Sequence, residues 1–169
     1  MTHTDTDIDA VVAGVCRAIV DLEASIGKLD RWNAALLELF VESRAAAYVG
    51  DGLRRVRPVS IEDLGIYDAE EKGLLSRDEV LALASVDVLV RGEGPTASEG
   101  GATVVAIEVS TTLDLADVAR VARVADLLNR TGLPARAAVA GHNIPEEVRR
   151  FADEHGVLVK IVPPSELPR

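Results

Sequence analysis

Glu108 is the carboxylate with the least obvious reason to be where it is. It interrupts the apolar run Val104-Val105-Ala106-Ile107-Glu108-Val109. A carboxylate buried in such a strand is costly unless a partner or an ion compensates it. A second carboxylate, Asp87, lies within Val86-Asp87-Val88-Leu89-Val90. Two readings stand for it: a strand-end residue bonding local backbone, or a companion of Glu108 in a site. Ser110 follows Glu108 by two residues, so strand alternation puts both on one face. Thr111, Thr112 and Asp114 would complete a polar rim there. Other chemistries find little support. His3, His142 and His155 share no ligand spacing with one another or with Cys16, which argues against zinc. The chain has no phosphate-binding Gly-x-x-x-x-Gly-Lys loop and no Gly-x-Ser-x-Gly nucleophile elbow.

The elements that must position these residues can be read from periodicity. Positions 86–90 and 103–109 predict two strands joined by the glycine-rich segment 92–101, a connection longer than the usual hairpin. The continuous β-branched run of the second marks a buried, central strand, and the lack of a helix between the two predicts antiparallel pairing. An amphipathic helix over 113–130 starts near Asp114 and is closed by Gly132 and Pro134. It serves as a crossover, after which the buried strand 135–140 can lie parallel. Gly141-His142-Asn143 reads as a strand-to-helix turn, followed by a helix over 145–155, a last strand over 157–162 and a tail from Pro163. Upstream, 56–61 predicts a short strand whose Pro58 suggests an edge position. Residues 62–73 read as a polar excursion, and Ser76 with Glu79 forms a capping box that opens a helix over 77–84. The fold class is α/β.

An acidic strand, a hairpin and a buried strand carrying Glu-x-Lys are the signature of PD-(D/E)XK nucleases. The chain resembles that family over about residues 38–161, with Asp87 and Glu108 in the motif positions. The resemblance implies a restriction-endonuclease-like mixed sheet flanked by helices. It also implies that Asp87, Glu108 and the backbone carbonyl of Val109 supply oxygen ligands to Mg²⁺ or Mn²⁺. Such a metal polarises a phosphate and lowers the pKa of bound water. Glu42, in Val41-Glu42-Ser43-Arg44, stands where many members carry another acidic residue. Ser110 is the departure, since it replaces a lysine that would orient water and stabilise developing charge. Serine is neutral and short. Lys28, Lys72 and Lys160 occupy no obvious substitute position, so Arg91 or Arg120 would have to reach the site. The architecture is similar to a bacterial subgroup with an N-terminal coiled coil and Glu-x-Ser in place of Glu-x-Lys. The implied function is metal-dependent hydrolysis of DNA or RNA with impaired or variant catalysis. The alternative is a nuclease-fold dimer that has lost catalysis and serves binding or assembly.

The first forty residues have a different period. Val12, Ile19, Ile26, Asn33 and Phe40 fall at heptad position a, and Ile8, Val15, Leu22, Leu29 and Leu36 at d. Mostly β-branched a sites with leucine at the later d sites favour a parallel two-stranded coiled coil, and Asn33 would fix its register. A parallel homodimer through the stretch between Ile8 and Leu29 is therefore expected. The flanking e and g positions carry no Glu/Lys alternation, which leaves open a helix folded back on its own domain. Past Trp32 the helix is expected to pack on the globular domain as well, and Gly50 and Gly52 to end it. The domains are thus 1–37, the coiled-coil helix; 38–162, the α/β domain; and 163–169, a tail.

Composition sets the outer bounds. The 169 residues are 48% hydrophobic but only 3% aromatic, so the core must be aliphatic. The net charge of −10 excludes nucleic-acid binding by bulk electrostatics and leaves only local basic patches. Arg54, Arg55 and Arg57 form one candidate; Arg120, Arg123, Arg149 and Arg150 supply others, with surface solubility and ion pairing the plainer role for all of them. A polar start, a single cysteine and the lack of a long apolar run lead to the expectation of a soluble, cytoplasmic protein.

Overall fold

In the computed structural model, residues 4–49, 52–94 and 101–166 are described, with side chains from residue 11 onward. The chain divides into two compact units, Met1–Ala35 and Leu36–Arg169. The first is a stretch of one long helix, α1 (Thr4–Ser43), which continues into the second. Val12, Val15, Ile19, Leu22, Ile26 and Leu29 are each half or more exposed on it. The structure holds one helix here, and a coiled coil would need another chain. The side chain of Ile8 and all of Gly50 lie outside the described residues. No helix among the described residues is long and apolar enough to cross a membrane.

The second unit contains the last turns of α1, then α2 (Ala45–Val49), β1 (Arg54–Pro58), α3 (Ile66–Glu71) and α4 (Arg77–Ala84). These are followed by β2 (Val88–Glu93), β3 (Ala102–Thr112), α5 (Leu115–Arg130), β4 (Ala135–Asn143), α6 (Glu146–Glu154) and β5 (Leu158–Ile161). The five strands form one sheet in the order β1-β2-β3-β4-β5. β1, β2 and β3 pair antiparallel, whereas β3, β4 and β5 pair parallel across the connections made by α5 and α6. The result is a mixed sheet flanked by helices, as the strand and crossover pattern predicts.

Side chains of β3 alternate between two apolar layers, because successive residues of a strand point to opposite faces. Val104 and Ala106 join a large core with Leu83, Leu89, Val118, Val121, Leu128 and Val148. Val105, Ile107 and Val109 join a smaller core on the other face with Leu37, Phe40, Val41 and Val49. Glu108 therefore belongs to the face covered by α5.

Several boundaries differ from expectation for identifiable reasons. Phe40 is only 8% exposed and packs in the smaller core with Leu37 and Val41, so it is not a free seam residue. Leu36 and Leu39 stay exposed. The helix breaks at Arg44 and resumes as α2 before the glycines are reached. The polar excursion contains α3, whose Ile66 is fully buried. That helix is too short for a helical period to stand out. β2 begins at Val88, so Asp87 lies in the bend just before the strand instead of inside it.

Candidate functional site

The β2–β3 register puts the two motif carboxylates side by side. Val88 is the partner of Ile107, so the residue before Val88 stands beside the residue after Ile107. Those residues are Asp87 and Glu108. Asp87 Oδ2 accepts a hydrogen bond from the Val109 backbone N–H at 2.7 Å. Asp87 thus ties down the backbone of the neighbouring strand, far from it in the chain, and stands beside Glu108. Val109 enters this arrangement through its N–H.

Glu108 is buried, and its compensation comes from α5. Arg120 donates to Glu108 Oε1 from Nε at 3.0 Å and from Nη2 at 2.6 Å. The same Nη2 donates to Asp117 Oδ1 at 2.5 Å. Asp117 is itself nearly buried and has a second task. Its Oδ2 accepts from the Asp114 N–H, while Asp114 Oδ1 accepts from the Asp117 N–H. This reciprocal capping box satisfies orphan donors at the start of α5. Asp114 is therefore the N-cap of α5, and it is exposed. Glu108 Oε2 is buried and has no hydrogen-bond partner among the described residues. A buried unsatisfied carboxylate oxygen is uncommon and calls for a reason such as an ion.

Burial dominates the electrostatics. It pushes the Asp87 carboxyl above its ordinary value, against the opposing pull of the Val109 N–H and the Arg120 charge. It pushes Glu108 up as well, offset in part by the Arg120 hydrogen bonds and reinforced by the negative charge of Asp87. Arg120 is shifted up in turn, chiefly by its bond to Glu108. Glu38, on α1, is raised by burial and then by Asp87.

The remaining expected site residues are placed as follows. Ser110 donates its hydroxyl to the Thr112 carbonyl at 2.8 Å, so it is turned along its own strand. The β4 backbone passes close by: a Cβ on Gly141 would run into the Ser110 carbonyl oxygen. Glu42 is exposed and lines an open cleft of about 220 Å³ together with Asp87, Ser60 and Glu62. Of the two arginines considered for the missing cation, Arg120 reaches Glu108. Arg91 instead lines a separate cleft with Arg55 and Arg57. Two neighbouring acidic residues, one bonded to Arg120 and one felt only through its charge, were not anticipated. Glu38 is one helical turn before Glu42, and Asp117 is one turn before Arg120; the i, i+3 spacing of Asp117 and Arg120 is the signal that was available.

Among the described residues no group of three or more His, Cys, Asp or Glu side chains is arranged to hold a metal ion. A two-carboxylate set is nevertheless what Mg²⁺ commonly uses, since it retains several waters and takes further oxygens from substrate phosphates. The unpartnered Glu108 Oε2 beside Asp87 fits that requirement.

No family model and no curated protein matches the chain. Two solved structures resemble it. One is the EndoMS–dsDNA2 complex, at 16% identity and a TM-score of 0.46 over 77% of this chain and 44% of that one. The other is a repair endonuclease from Pyrococcus abyssi, at 17% identity and a TM-score of 0.36 over 57% of this chain and 47% of that one. The chain spans less than half the length of either. Superposition this loose says nothing about activity.

Proposed function

We propose that the second unit is a nuclease-like domain of PD-(D/E)XK type that hydrolyses phosphodiesters of DNA or RNA, with Arg120 supplying the positive charge that Ser110 cannot. The observation that carries this reading is Glu108: a carboxylate in an apolar central strand, next to Asp87, with one oxygen held by an arginine and the other unpartnered. Asp87, Glu108 and the Val109 carbonyl would hold Mg²⁺ or Mn²⁺, and the bound ion would polarise the scissile phosphate and acidify a water. The chain's own residues do the rest. The Val109 N–H holds Asp87 in orientation. Arg120, half exposed at 48%, presents a guanidinium suited to phosphate oxygens. Asp117 holds Arg120 at the mouth of the site. Glu42 borders the cleft that leads to Asp87.

The test is cleavage of labelled single- and double-stranded DNA and RNA with and without Mg²⁺ or Mn²⁺, alongside calorimetric titration of the metal. Asp87→Ala and Glu108→Ala should abolish cleavage and weaken metal binding. Ser110→Lys should raise cleavage. Robust cleavage that survives Glu108→Ala would show that the chemistry lies elsewhere.

A second reading, a catalytically silent dimer that serves binding or assembly in the cytoplasm, draws on two observations. The Ser110 hydroxyl is bonded to the Thr112 carbonyl, and the a and d side chains from Val12 to Leu29 are exposed. Covering each such side chain in a parallel dimer contributes about 1.5 to 3 kcal/mol. Light scattering should then report two chains at micromolar concentration, and a monomer would dismiss the coiled coil.

A further inference from the structure

The β1–β2 edge of the sheet carries a second charged feature. Arg57 on β1 is the cross-strand partner of Arg91 on β2. Directly opposed residues of an antiparallel pair point to the same side with Cβ atoms about 4.5 to 5.5 Å apart, and like charges placed there repel. The register shifts between Arg54 and Arg57, and Arg55 in that irregularity has φ 55°. This left-handed conformation is uncommon for a residue other than glycine. Arg55, Arg57 and Arg91 line one open cleft of about 330 Å³ with Gly92, Glu93 and Ala102.

The compensation is thin. Glu93 is the single carboxylate of that lining, and it pairs with Arg55 at 3.4 Å with both side chains more than half exposed. Neither Arg57 nor Arg91 makes a hydrogen bond or salt bridge among the described residues. The Arg57 charge reaches Asp63, but only as the last influence on a carboxyl already bonded to Ser60. In a chain of net charge −10, acidic partners are abundant. Arg57 and Arg91 are nonetheless opposed across the two strands, with no hydrogen-bonded or ion-paired carboxylate among the described residues.

An anion between them would turn the repulsion into attraction, and guanidinium forks match the paired oxygens of phosphate. We infer that the Arg55–Arg57–Arg91 cleft binds a phosphate group of a nucleic-acid backbone. The phosphate chemistry follows from the arginines; the choice of nucleic acid as its source rests on the nuclease reading above. The cleft is an anchoring point distinct from the carboxylate site. Leu89, buried in the large core, lies between Asp87 and Arg91 along the chain.

The experiment is fluorescence anisotropy of labelled single- and double-stranded oligonucleotides in EDTA across a salt series. Wild type is compared with Arg57→Gln/Arg91→Gln and with Glu108→Ala. The double variant should bind at least about tenfold more weakly and lower the slope of log affinity against log salt by about one, for one lost phosphate contact. Its melting temperature should rise, since the opposed charges are gone; a structural role would lower it. Inorganic phosphate, as a separate probe, should perturb the Arg57 and Arg91 side-chain resonances. Unchanged oligonucleotide affinity and slope overturn the inference, and if phosphate still perturbs those resonances the occupant is a free phosphate compound. A lower melting temperature with unchanged binding also overturns it and makes the arginines structural. Binding through Arg57 and Arg91 by a protein that never cleaves would defeat the nuclease reading alone. Cleavage indifferent to the double variant would defeat this inference alone.

Discussion

The two ends of β2 treat charge in opposite ways. Before its first residue, Asp87 and Glu108 are held by a backbone N–H and by Arg120. Near its last, Arg57 and Arg91 are opposed across the strands with no such partners among the described residues. The difference follows from water. Glu108 is nearly sealed from solvent, and a sealed charge without a partner is ruinous. Arg57 is exposed and Arg91 half buried, so solvent screens their repulsion and the fold tolerates it. Compensation at one end is a condition of folding, whereas its absence at the other is open to use by a ligand.

Arg120→Ala should break this contrast most severely, because it leaves Glu108 buried and uncompensated. We expect a loss of about 3 kcal/mol in urea unfolding at neutral pH, and a drop in any cleavage on the order of a hundred- to a thousand-fold. A variant as stable as wild type would mean that the pair is incidental. Arg120→Ala/Glu108→Gln should recover much of the stability but none of the cleavage.

A smaller effect is expected from pH. Burial raises the folded-state pKa of Asp87 and Glu108 above the unfolded values. Such groups bind their protons more tightly in the native state. The stability they contribute is full below the unfolded pKa and is lost as pH rises through the folded one. Chemical denaturation from about pH 4 upward should register that loss, and Glu108→Gln should flatten the profile. Glu79 behaves oppositely. Its hydrogen bond from Arg130 lowers it to about 2, so its contribution is present at neutral pH and fades as pH falls toward that value. An unchanged profile in Glu108→Gln would place the titration elsewhere.

The smallest effect belongs to the arginine cleft. Glu93→Ala removes an exposed pair with Arg55, and stability should change by no more than about 0.5 kcal/mol. The same change should tighten oligonucleotide binding, because it removes the carboxylate that competes with phosphate. Weaker binding would count against the cleft as an anion site.

The sequence was most informative where the cause of structure is local. The Ser76–Glu79 capping box forms as its spacing predicts, Asp114 starts α5, and the β-branched run around Ile107 becomes the central strand. β2 pairs antiparallel with β3, as expected from a connecting sequence that carries no helical period. Long-range placement was legible only in part. That Glu108 needs a partner is visible in its apolar neighbours. That the partner is Arg120, and not Arg91, depends on how α5 crosses the sheet. Glu38 feels Asp87 although Glu42 shares its cleft, a matter of helical phase that no short motif encodes. Phe40 fits a heptad as well as it fits the core, and only packing on β2 and β3 decides between them.

The double duty of Asp117 has a consequence for the order in which the molecule assembles. Its exchange of hydrogen bonds with Asp114 spans three residues, and so does its grip on Arg120. Contacts this local close on the timescale of helix formation, well before strands distant in the chain must find each other. The first turn of α5 can therefore hold a guanidinium in place ahead of the sheet. When β3 docks, Glu108 enters a layer where its counter-charge is already waiting. A domain assembled in that order is spared a stage in which a bare carboxylate sits among aliphatic side chains.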